Sequence, residues 1–467
     1  MSIFKKPARM HEKAMNIIIV GVGKVGATLA DKLTAEGNNV TVVDKNPKFL
    51  NRITTTYDIM GIKGNGSSYG TLIEAGIETA DLIIAVTESD ELNLLCCTLA
   101  QNLGSCATIA RVRTPDYGEE LPYLRDKLGI SLIINPELEA AKEINRLLHF
   151  PSAISVNAFA KGSVDMITFK IPQGNTLCGM HLAGLRAKIG VNVLICAVER
   201  NSELVIPNGS FELAAGDVIS FIARPEDAYS FFSIIGIKSR KISSAMLIGG
   251  GRTSFYLTNR LVKSGVKVKI VETNTERCNE LAEILPDKVI IVNGDGTDES
   301  LLKQENMSEY DAVIPLTGID EENILLTLYA MKTSPDIKTI TKVDHIGFTN
   351  VIEGLELGSV VYPRLMTAQI IRTYARARKN SIGSNIETIY RIFDDRAEAI
   401  EFKIGGAANY LNVPLKQLKL KNELLIAAII RAGKSFIPTG DDSIQKNDTV
   451  IIVTTHSGFS NISDIFA

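Results

Sequence analysis

The residues best suited to chemistry are three glycines and one acid close to the start of the chain. Gly21, Gly23 and Gly26 form the pattern G-x-G-x-x-G, directly after an apolar run and before an amphipathic one. The first glycine permits a tight turn, the second lets a pyrophosphate approach the backbone, and the third lets a helix pack closely on a strand. Asp44 ends the next apolar run. This order of features predicts a dinucleotide-binding turn.

A nucleotide suits this arrangement for two reasons. The helix that begins at the turn offers free N–H groups and the positive end of its dipole to a phosphate. The carboxylate of Asp44 can accept both ribose hydroxyls of an adenosine and would repel a 2′-phosphate. NAD(H) or an adenine nucleotide is therefore favoured over NADP, although Lys45 beside the acid weakens that exclusion. The alternative is a tight strand–helix turn that binds no ligand.

The chain repeats this pattern further on. The turn at 249–254 follows a second apolar run, and Glu272 lies as far beyond Gly249 as Asp44 lies beyond Gly21. A repeat of this size predicts two dinucleotide-binding folds in one chain. Two such folds without an obvious catalytic group between them favour a sensor over an enzyme.

The second turn departs from the sequence of the first. Ser254 stands where the third glycine is expected and predicts a helix that packs less closely on its strand. Thr253 takes the place of Val25, and Arg252 adds a positive charge near any phosphate. Because Glu272 keeps the ribose-binding carboxylate, a second nucleotide site is still expected. Its predicted ligand is ATP or ADP rather than NAD. A degenerate, purely structural copy is the alternative.

Two further short motifs recur in both halves. The sequence GNGS at 64–67 is echoed by GDGT at 294–297, each just past a third predicted strand. The stretch TESDELN at 87–93 is echoed by TGIDEEN at 317–323, each after a fourth strand. Open α/β sheets bind ligands at the carboxyl ends of their strands. Both motifs are therefore predicted to face the nucleotide.

Individual side chains in these motifs have competing interpretations. Thr87 could bond a phosphate or a ribose, and Arg111 and its counterpart Lys342 could contact phosphates. The alternative for the two cations is a surface charge that pairs with a local acid. Asp90 and Asp320 could equally be plain helix N-caps.

The predicted nucleotide-binding residues are therefore grouped by half. Those of the first half are Gly21, Val22, Gly23, Lys24, Val25, Gly26, Asp44, Asn65, Gly66, Ser67, Val86, Thr87, Glu91 and Arg111. Those of the second half are Gly249, Gly250, Gly251, Arg252, Thr253, Glu272, Asp295, Gly296, Leu316, Thr317 and Lys342. No catalytic residue and no metal ligand is predicted.

The elements that must position these residues alternate between strand and helix. Such alternation predicts an α/β fold with two Rossmann-like, doubly wound parallel sheets. After each of them the rhythm gives way to short strands with polar turns, which predicts a small α+β domain. The predicted domains are 15–150 and 242–380 for the Rossmann-like parts, and 151–238 and 386–467 for the small parts.

Composition sets limits on the class of protein. A chain of 467 residues with a net charge of −3 lacks the basic footprint of a nucleic-acid-binding protein. Its six cysteines form no C-x-x-C pair, which predicts buried free thiols in a reducing compartment. No apolar run approaches the roughly 18 residues of a membrane helix. The first 14 residues lack an apolar signal region and are expected to be a flexible tail or an upstream start.

Taken together, the motifs resemble a known family. The GVGKVG turn with Asp44, the GNGSS loop, the TESDELN stretch and the ARVRTPDY segment at 110–117 are similar to the TrkA family. Its members are cytosolic regulatory subunits of bacterial Trk potassium uptake systems. The large–small–large–small order resembles that family's plan of an RCK nucleotide-binding domain and a TrkA-C domain, each present twice.

The resemblance implies a function. It implies a homo-oligomer, expected as a tetrameric ring, on the inner face of the cell membrane beneath a membrane-embedded Trk potassium channel. NAD(H) and ATP or ADP would bind the RCK folds and change the shape of the ring. One rival interpretation is an NAD-dependent oxidoreductase, against which none of the five histidines lies in a recognisable acid–base motif. The other is a redox-sensing transcriptional repressor, which would need a basic DNA-binding segment.

Overall fold

The structure is a computed structural model of the chain. It describes residues 14–57, 59–115, 120–150, 153–237, 242–344, 355, 357–379, 386–393, 396–406, 408–459 and 461–466. The expected N-terminal tail lies almost wholly outside these residues, and so do positions 116 and 117 of the segment at 110–117.

The first large sheet has six parallel strands in the order β3-β2-β1-β4-β5-β6. This is the strand order of the Rossmann fold. Its strands are β1 Asn16–Val20, β2 Asn39–Asp44, β3 Met60–Lys63, β4 Leu82–Ala85, β5 Ala107–Arg111 and β6 Leu132–Ile134. Its helices are α1 Lys24–Ala35, α2 Pro47–Thr56, α3 Tyr69–Glu74, α4 Asp90–Leu103 and α5 Leu121–Lys127. Continuous apolar runs such as NIIIV and LIIA form the central strands because helices cover both faces of the sheet.

A helix and a small antiparallel sheet follow. Helix α6 spans Pro136–His149. The sheet has the order β10-β9-β11-β8-β7. Its strands are β7 Ser155–Phe159, β8 Val164–Lys170, β9 Leu194–Arg200, β10 Glu203–Val205 and β11 Val218–Ala223, with helices α7 Leu182–Ile189 and α8 Pro225–Ile234.

The second large sheet repeats the first, in the order β14-β13-β12-β15-β16-β17. Its strands are β12 Ser244–Ile248, β13 Lys267–Glu272, β14 Ile290–Asn293, β15 Ala312–Pro315, β16 Lys338–Lys342 and β17 Ser359–Val361. Its helices are α9 Arg252–Lys263, α10 Thr275–Ile284, α11 Glu299–Gln304 and α12 Asp320–Thr333.

A long helix and a second small sheet end the described chain. Helix α13 spans Pro363–Lys379. The sheet has the order β18-β19-β22-β20-β21 and is antiparallel throughout. Its strands are β18 Ile386–Ile392, β19 Ala397–Lys403, β20 Leu424–Arg431, β21 Lys434–Phe436 and β22 Thr449–Thr454.

The chain groups into two compact units that do not follow sequence order. One unit joins the residues up to Pro136 with Arg364–Lys379, and the other joins Glu137–Pro363 with the residues from Asn380 onward. Helix α13 therefore belongs with the first large sheet, although it follows the second one in the chain. Its side chains Ala368, Ile371 and Ala375 share a hydrophobic core with strands β1 and β2.

The two small sheets share a core within the second unit. Phe159 and Met166 of the first sheet lie in one buried cluster with Ala399 and Val453 of the second. The Tyr390 hydroxyl donates a 3.0 Å hydrogen bond to the Ala158 carbonyl. The small domains therefore stabilise each other through a joint apolar interface.

Each small sheet also contains the same ion pair, in which the aspartate is buried and the arginine is partly exposed. Arg200 donates two hydrogen bonds to Asp217, at 2.7 and 2.8 Å. Arg431 donates two to Asp448, at 3.0 and 2.8 Å. Both aspartates are 1% exposed, so each depends on its arginine to offset the cost of burial.

The predicted fold class is confirmed. The thiols of Cys96, Cys97, Cys106, Cys196 and Cys278 are buried and free as predicted, whereas Cys178 is partly exposed. Across the part of the chain that the structure describes, no helix is long and apolar enough to cross a bilayer. The exact limits of the four domains stay a prediction.

Candidate nucleotide sites

The first glycine-rich turn has the geometry that its glycines predict. Gly21 has a φ of +96°, and a Cβ atom there would lie 2.9 Å from the Thr87 nitrogen. A Cβ atom on Gly26 would overlap the carbonyl oxygen of Gly21. Both positions therefore admit only glycine, the first for its conformation and the second for close approach of helix and turn.

The middle glycine faces open space. A Cβ atom on Gly23 would meet nothing within 4 Å. Gly23 and Lys24 are exposed where α1 begins, and Gly23 supplies no side-chain cap for the helix. Val22 and Val25 are buried in the core, so only their backbone could meet a ligand. The turn thus leaves a space in front of unsatisfied N–H groups, as phosphate binding requires.

Asp44 is held in place by backbone N–H groups. Its Oδ2 atom accepts a 2.7 Å hydrogen bond from the nitrogen of Val22 in the turn, and its Oδ1 atom accepts one of 2.8 Å from Asn46. An ionised carboxylate has about four acceptor sites, so two bonds leave capacity for ribose hydroxyls. The turn and the acid are therefore one connected unit.

The loop after β3 packs against the same strand end. A Cβ atom on Gly66 would overlap the side chain of Val20, the last residue of β1. The Asn65 side chain accepts a 3.3 Å hydrogen bond from the nitrogen of Ser67, which closes a tight local turn. The structure thus brings this loop to the carboxyl end of β1, beside the glycine-rich turn.

The loop after β4 is organised by a buried asparagine. The Asn93 side chain accepts hydrogen bonds from the nitrogen of Thr87 at 2.8 Å and from its hydroxyl at 2.7 Å. The same amide donates to the Thr87 carbonyl at 3.1 Å and to the Arg111 carbonyl at 2.9 Å. Asn93 is 0% exposed, and it ties the ends of β4 and β5 together.

Arg111 lies beneath this loop rather than on the surface. It is buried, and its Nη2 atom donates a 2.6 Å hydrogen bond to the carbonyl of Thr87. The interpretation as a surface charge is therefore wrong for Arg111. In the second half, Lys342 donates to the Thr317 carbonyl at 2.9 Å and lies 3.4 Å from Asp344, so pairing with a local acid does occur there.

The aspartates at the start of α4 and α12 are not N-caps, which corrects the alternative given for them. The N-cap of α4 is Ser89, whose hydroxyl accepts from the nitrogen of Leu92 at 3.1 Å. Asp90 instead accepts from the nitrogen of Thr114 at 2.8 Å and so holds the loop after β5. Asp320 accepts a matching 2.8 Å bond from the nitrogen of Asp344.

The second turn accommodates its serine by a hydrogen bond. Gly249 has a φ of +103°, close to that of Gly21. Ser254 is fully buried, and its hydroxyl donates to the Gly249 carbonyl oxygen. In the first turn, a side chain at the equivalent position, Gly26, would overlap the Gly21 carbonyl oxygen. In the second turn, the Ser254 hydroxyl makes a hydrogen bond to the equivalent oxygen.

A longer acid and an arginine hold the second turn from two sides. The Glu272 carboxylate accepts a 2.6 Å hydrogen bond from the nitrogen of Gly250, and the Arg277 Nε atom donates one of 2.9 Å to the Gly250 carbonyl. A Cβ atom on Gly250 would lie 2.7 Å from the side chain of Leu281. Gly251, like Gly23, has open space beside it, and Arg252 next to it is exposed.

The remaining loops of the second half repeat those of the first. Asp295 accepts hydrogen bonds from the nitrogen and hydroxyl of Thr297, at 2.8 and 2.7 Å, and these bonds lower the pKa of its carboxyl. A Cβ atom on Gly296 would overlap the side chain of Ile248. The Asn323 amide accepts from the nitrogen of Thr317 at 2.9 Å.

Several predicted residues contribute through the backbone or from beneath the site. Val86, Leu316 and Thr253 are buried. Glu91 accepts a 2.8 Å hydrogen bond from the Ser89 hydroxyl. The sequence did not identify Arg277, Asn93 and Asn323 as residues that hold the loops of the site in place. The two asparagines could have been found, because they occupy the same position in both copies of one repeated motif.

Two parallel sheets of Rossmann order, each with a glycine-rich turn beside an acid and each followed by a small antiparallel sheet, define a tandem nucleotide-binding protein. The TrkA-N domain family matches residues 17–136 and 245–363, and the TrkA-C domain family matches residues 166–236 and 400–467. The chain belongs to the TrkA family. The Trk system potassium uptake protein TrkA homolog 1 of Methanosarcina mazei is 32% identical over 460 residues, which cover 97% of this chain and 100% of that protein.

Solved structures share the fold at lower identity. The GsuK channel bound to NAD matches with a TM-score of 0.62 at 17% identity, over 95% of this chain and 77% of that chain. GsuK bound to ADP matches with a TM-score of 0.51 at 15% identity, over 79% of this chain and 70% of that chain. These likenesses establish the architecture.

Proposed function

We propose that this chain is a nucleotide-sensing regulatory subunit that gates a Trk-type membrane potassium channel or transporter. The observation that carries the proposal is the pairing, in each half, of an open helix N-terminus with a carboxylate held by the turn itself. The family relationship supplies the output, because the relative from Methanosarcina mazei is named as a potassium uptake protein. The chain acts through binding and not through catalysis.

The first turn binds NAD(H). Gly23 leaves space for a pyrophosphate, and Asp44 retains acceptor capacity for the ribose while its charge repels a 2′-phosphate. A GsuK structure with bound NAD has the same fold and supports this choice.

The second turn binds ATP or ADP. Arg252 is the first residue of α9, and its side chain places a permanent positive charge beside the phosphate position. Glu272 offers the ribose the same kind of carboxylate that Asp44 offers in the first half. GsuK has also been solved with ADP, which supports an adenine nucleotide in this fold.

The mechanism is a shift between two shapes. A nucleotide can move such an equilibrium only if it binds one shape more tightly than the other. The chain works as a homo-oligomeric ring, expected to be tetrameric, at the cytoplasmic face of the membrane. There its change of shape is transmitted to the channel subunit.

Calorimetry on the full chain tests the assignment of ligands. Asp44→Asn keeps an oxygen for the nitrogen of Val22 but loses the charged ribose acceptor, and Glu272→Gln is the matched change in the second half. A hydrogen bond to a charged group contributes about 1.5–3 kcal/mol, so each variant should weaken its own nucleotide about tenfold or more. Asp44→Asn should affect NADH alone, and Glu272→Gln should affect ADP alone.

Two results would contradict the proposal. The wild-type chain binding neither NADH nor ADP would remove the sensing function. Equal effects of both substitutions on both nucleotides would remove the assignment of one ligand to each turn.

A further inference from the structure

Helix α13 is attached to the first large sheet by charge as well as by apolar packing. The Arg372 Nε atom donates a 2.6 Å hydrogen bond to Oε1 of Glu36, and the Arg376 Nη2 atom donates one of 3.0 Å to the same oxygen. Arg376 Nε also reaches the other oxygen, Oε2, at 3.4 Å. One carboxylate is thus shared by two guanidinium groups, one helical turn apart on α13. We call these three side chains the Glu36 triad.

The Glu36 triad is largely removed from water. The side chains of Glu36, Arg372 and Arg376 are 15%, 9% and 23% exposed. Exposed ion pairs contribute little, but losing one partner of a buried pair leaves a charge without compensation. The triad therefore specifies the position of α13 on the first sheet more tightly than the apolar contacts of Ala368 and Ile371 alone.

Glu36 lies at the end of α1 opposite the glycine-rich turn. It is the C-cap residue of α1, and the N-cap of the same helix is Gly23 in the glycine-rich turn. A helix of 12 residues is about 18 Å long. Helix α1 therefore connects the glycine-rich turn at one end with the attachment of Arg372 and Arg376 at the other.

Among the residues that the structure describes, the second half shows no equivalent of this triad. Ser264 is the C-cap of α9, where Glu36 is the C-cap of α1. Counted from the proline that begins each helix, Asn145 and His149 of α6 stand where Arg372 and Arg376 stand in α13. His149 Nδ1 lies 2.7 Å from the carbonyl of Asn145 in its own helix. The two halves of the repeat therefore differ at the far ends of their first helices.

We propose that the Glu36 triad is the positioning element by which occupancy of the first nucleotide site controls helix α13. The inference rests on the proposed function, because it assumes that the first turn binds a nucleotide. It makes regulation asymmetric: the first site has a charged link to a helix from the far end of the chain, and the described residues of the second half show none.

Hydrogen–deuterium exchange on the full chain tests the link. NADH is the probe, and the backbone amides of α13 are followed with and without it. In the wild-type chain we expect NADH to slow exchange both in α1 and in α13. Glu36→Gln keeps the shape of the side chain and removes its charge. It should leave the response of α1 intact and abolish at least half of the response of α13.

Matched variants separate a link from a loss of folding. Glu74→Gln, at an exposed position of α3 in the same unit, should change neither response. Arg372→Lys keeps a positive charge and serves if Glu36→Gln proves unstable; it should lose part of the α13 response. The affinity for NADH should change less than threefold in Glu36→Gln, because the triad lies at the opposite end of α1 from the turn.

Three outcomes would overturn the inference. One is an α13 response that is the same in Glu36→Gln and wild type. The second is a wild-type chain that binds NADH by calorimetry without any change in α13. The third is a loss of NADH affinity of more than tenfold in a variant of unchanged thermal stability, which would place the triad in the site itself. A wild-type chain that binds no NADH at all would instead contradict the proposed function.

Discussion

At the scale of single residues, three glycines in one turn have three different requirements. Gly21 needs its left-handed backbone conformation, Gly26 needs the absence of a side chain, and Gly23 needs neither to fold. Its φ of −70° is available to any residue, and open space surrounds it. Folding therefore does not require glycine at position 23. If glycine is required there, the requirement comes from a ligand that occupies the space beside it.

This contrast gives a prediction about Gly23 and Gly26. Gly23→Val should abolish NADH binding and lower the free energy of unfolding by no more than about 1 kcal/mol, because valine is a poorer N-cap residue than glycine. Gly26→Val forces a side chain into the Gly21 carbonyl and should cost about 1–3 kcal/mol of stability or more. Calorimetry and thermal unfolding measure the two effects. Retained NADH binding in Gly23→Val would show that the turn does not receive a phosphate.

Arg277 gives a second prediction at this scale. It lies five residues beyond Glu272, and Phe49 lies five residues beyond Asp44. Arg277→Ala removes the bond from its guanidinium to the Gly250 carbonyl and should weaken ADP binding roughly tenfold, because bonds to charged groups contribute about 1.5–3 kcal/mol. Phe49→Ala is the control, and it should leave NADH binding within a factor of three. Unchanged ADP affinity in Arg277→Ala would exclude a positioning role.

At the scale of elements, the sequence was informative about the central strands of the two large sheets and uninformative about which elements pack together. The runs NIIIV and LIIA predicted buried parallel strands because apolar residues without alternation require cover on both faces. The sequence did not reveal which sheet helix α13 covers, because Glu36 and Arg372 are separated by 336 positions in the chain.

The site residues likewise fall into those that the sequence predicted and those that it did not. Gly21, Gly26 and Asp44 were predictable because each has a local requirement that its residue type reveals. Arg277 was not, because only the folded turn shows that a carbonyl of Gly250 needs a donor. The alternative interpretation of Asp90 as an N-cap is wrong because its carboxylate has a more distant partner, the backbone at Thr114.

Helix α6 gives a prediction of pH dependence. Burial raises the pKa of the Glu143 carboxyl to about 7, against the opposing charge of Arg146 at 3.2 Å. Burial likewise raises the pKa of Asp165 on β8 to about 6, again opposed by Arg146. An acid whose pKa is raised by folding adds stability when protonated, and this stability is lost as the pH rises through the folded pKa.

The second unit should therefore be more stable at pH 6 than at pH 8, by roughly 1 kcal/mol from Glu143 alone. Glu143→Gln should flatten this dependence and raise the stability at pH 8. Thermal unfolding of the full chain across this range measures it, with Glu203→Gln at an exposed position as the control. A slope that Glu143→Gln leaves unchanged would assign the pH dependence to other groups.

At the scale of the whole molecule, repetition organises both the sites and the surface. The two large sheets have equivalent turns, and the two small sheets have equivalent arginine–aspartate pairs around a buried aspartate. The repeat also extends to exposed apolar side chains. Leu95 on α4 and Leu325 on α12 are 50% and 66% exposed, each five residues beyond the aspartate that begins its helix. Large apolar side chains left in water at matching places are suited to contacts between copies of the chain.

The last prediction concerns this assembly. We expect the purified chain to be a homo-oligomer, and Leu95→Asp with Leu325→Asp should shift it toward the monomer in analytical ultracentrifugation, because each buried contact would then carry an unpaired charge. Tyr123→Asp, at another position that is 63% exposed, is the control and should leave the oligomer intact. In cells that co-express the channel subunit, the wild-type chain should sediment with membranes and restore potassium uptake, whereas the double variant should do neither. A double variant that remains oligomeric would place the contact between copies elsewhere. A wild-type chain that stays monomeric and does not bind the channel subunit with either nucleotide would contradict the proposed ring.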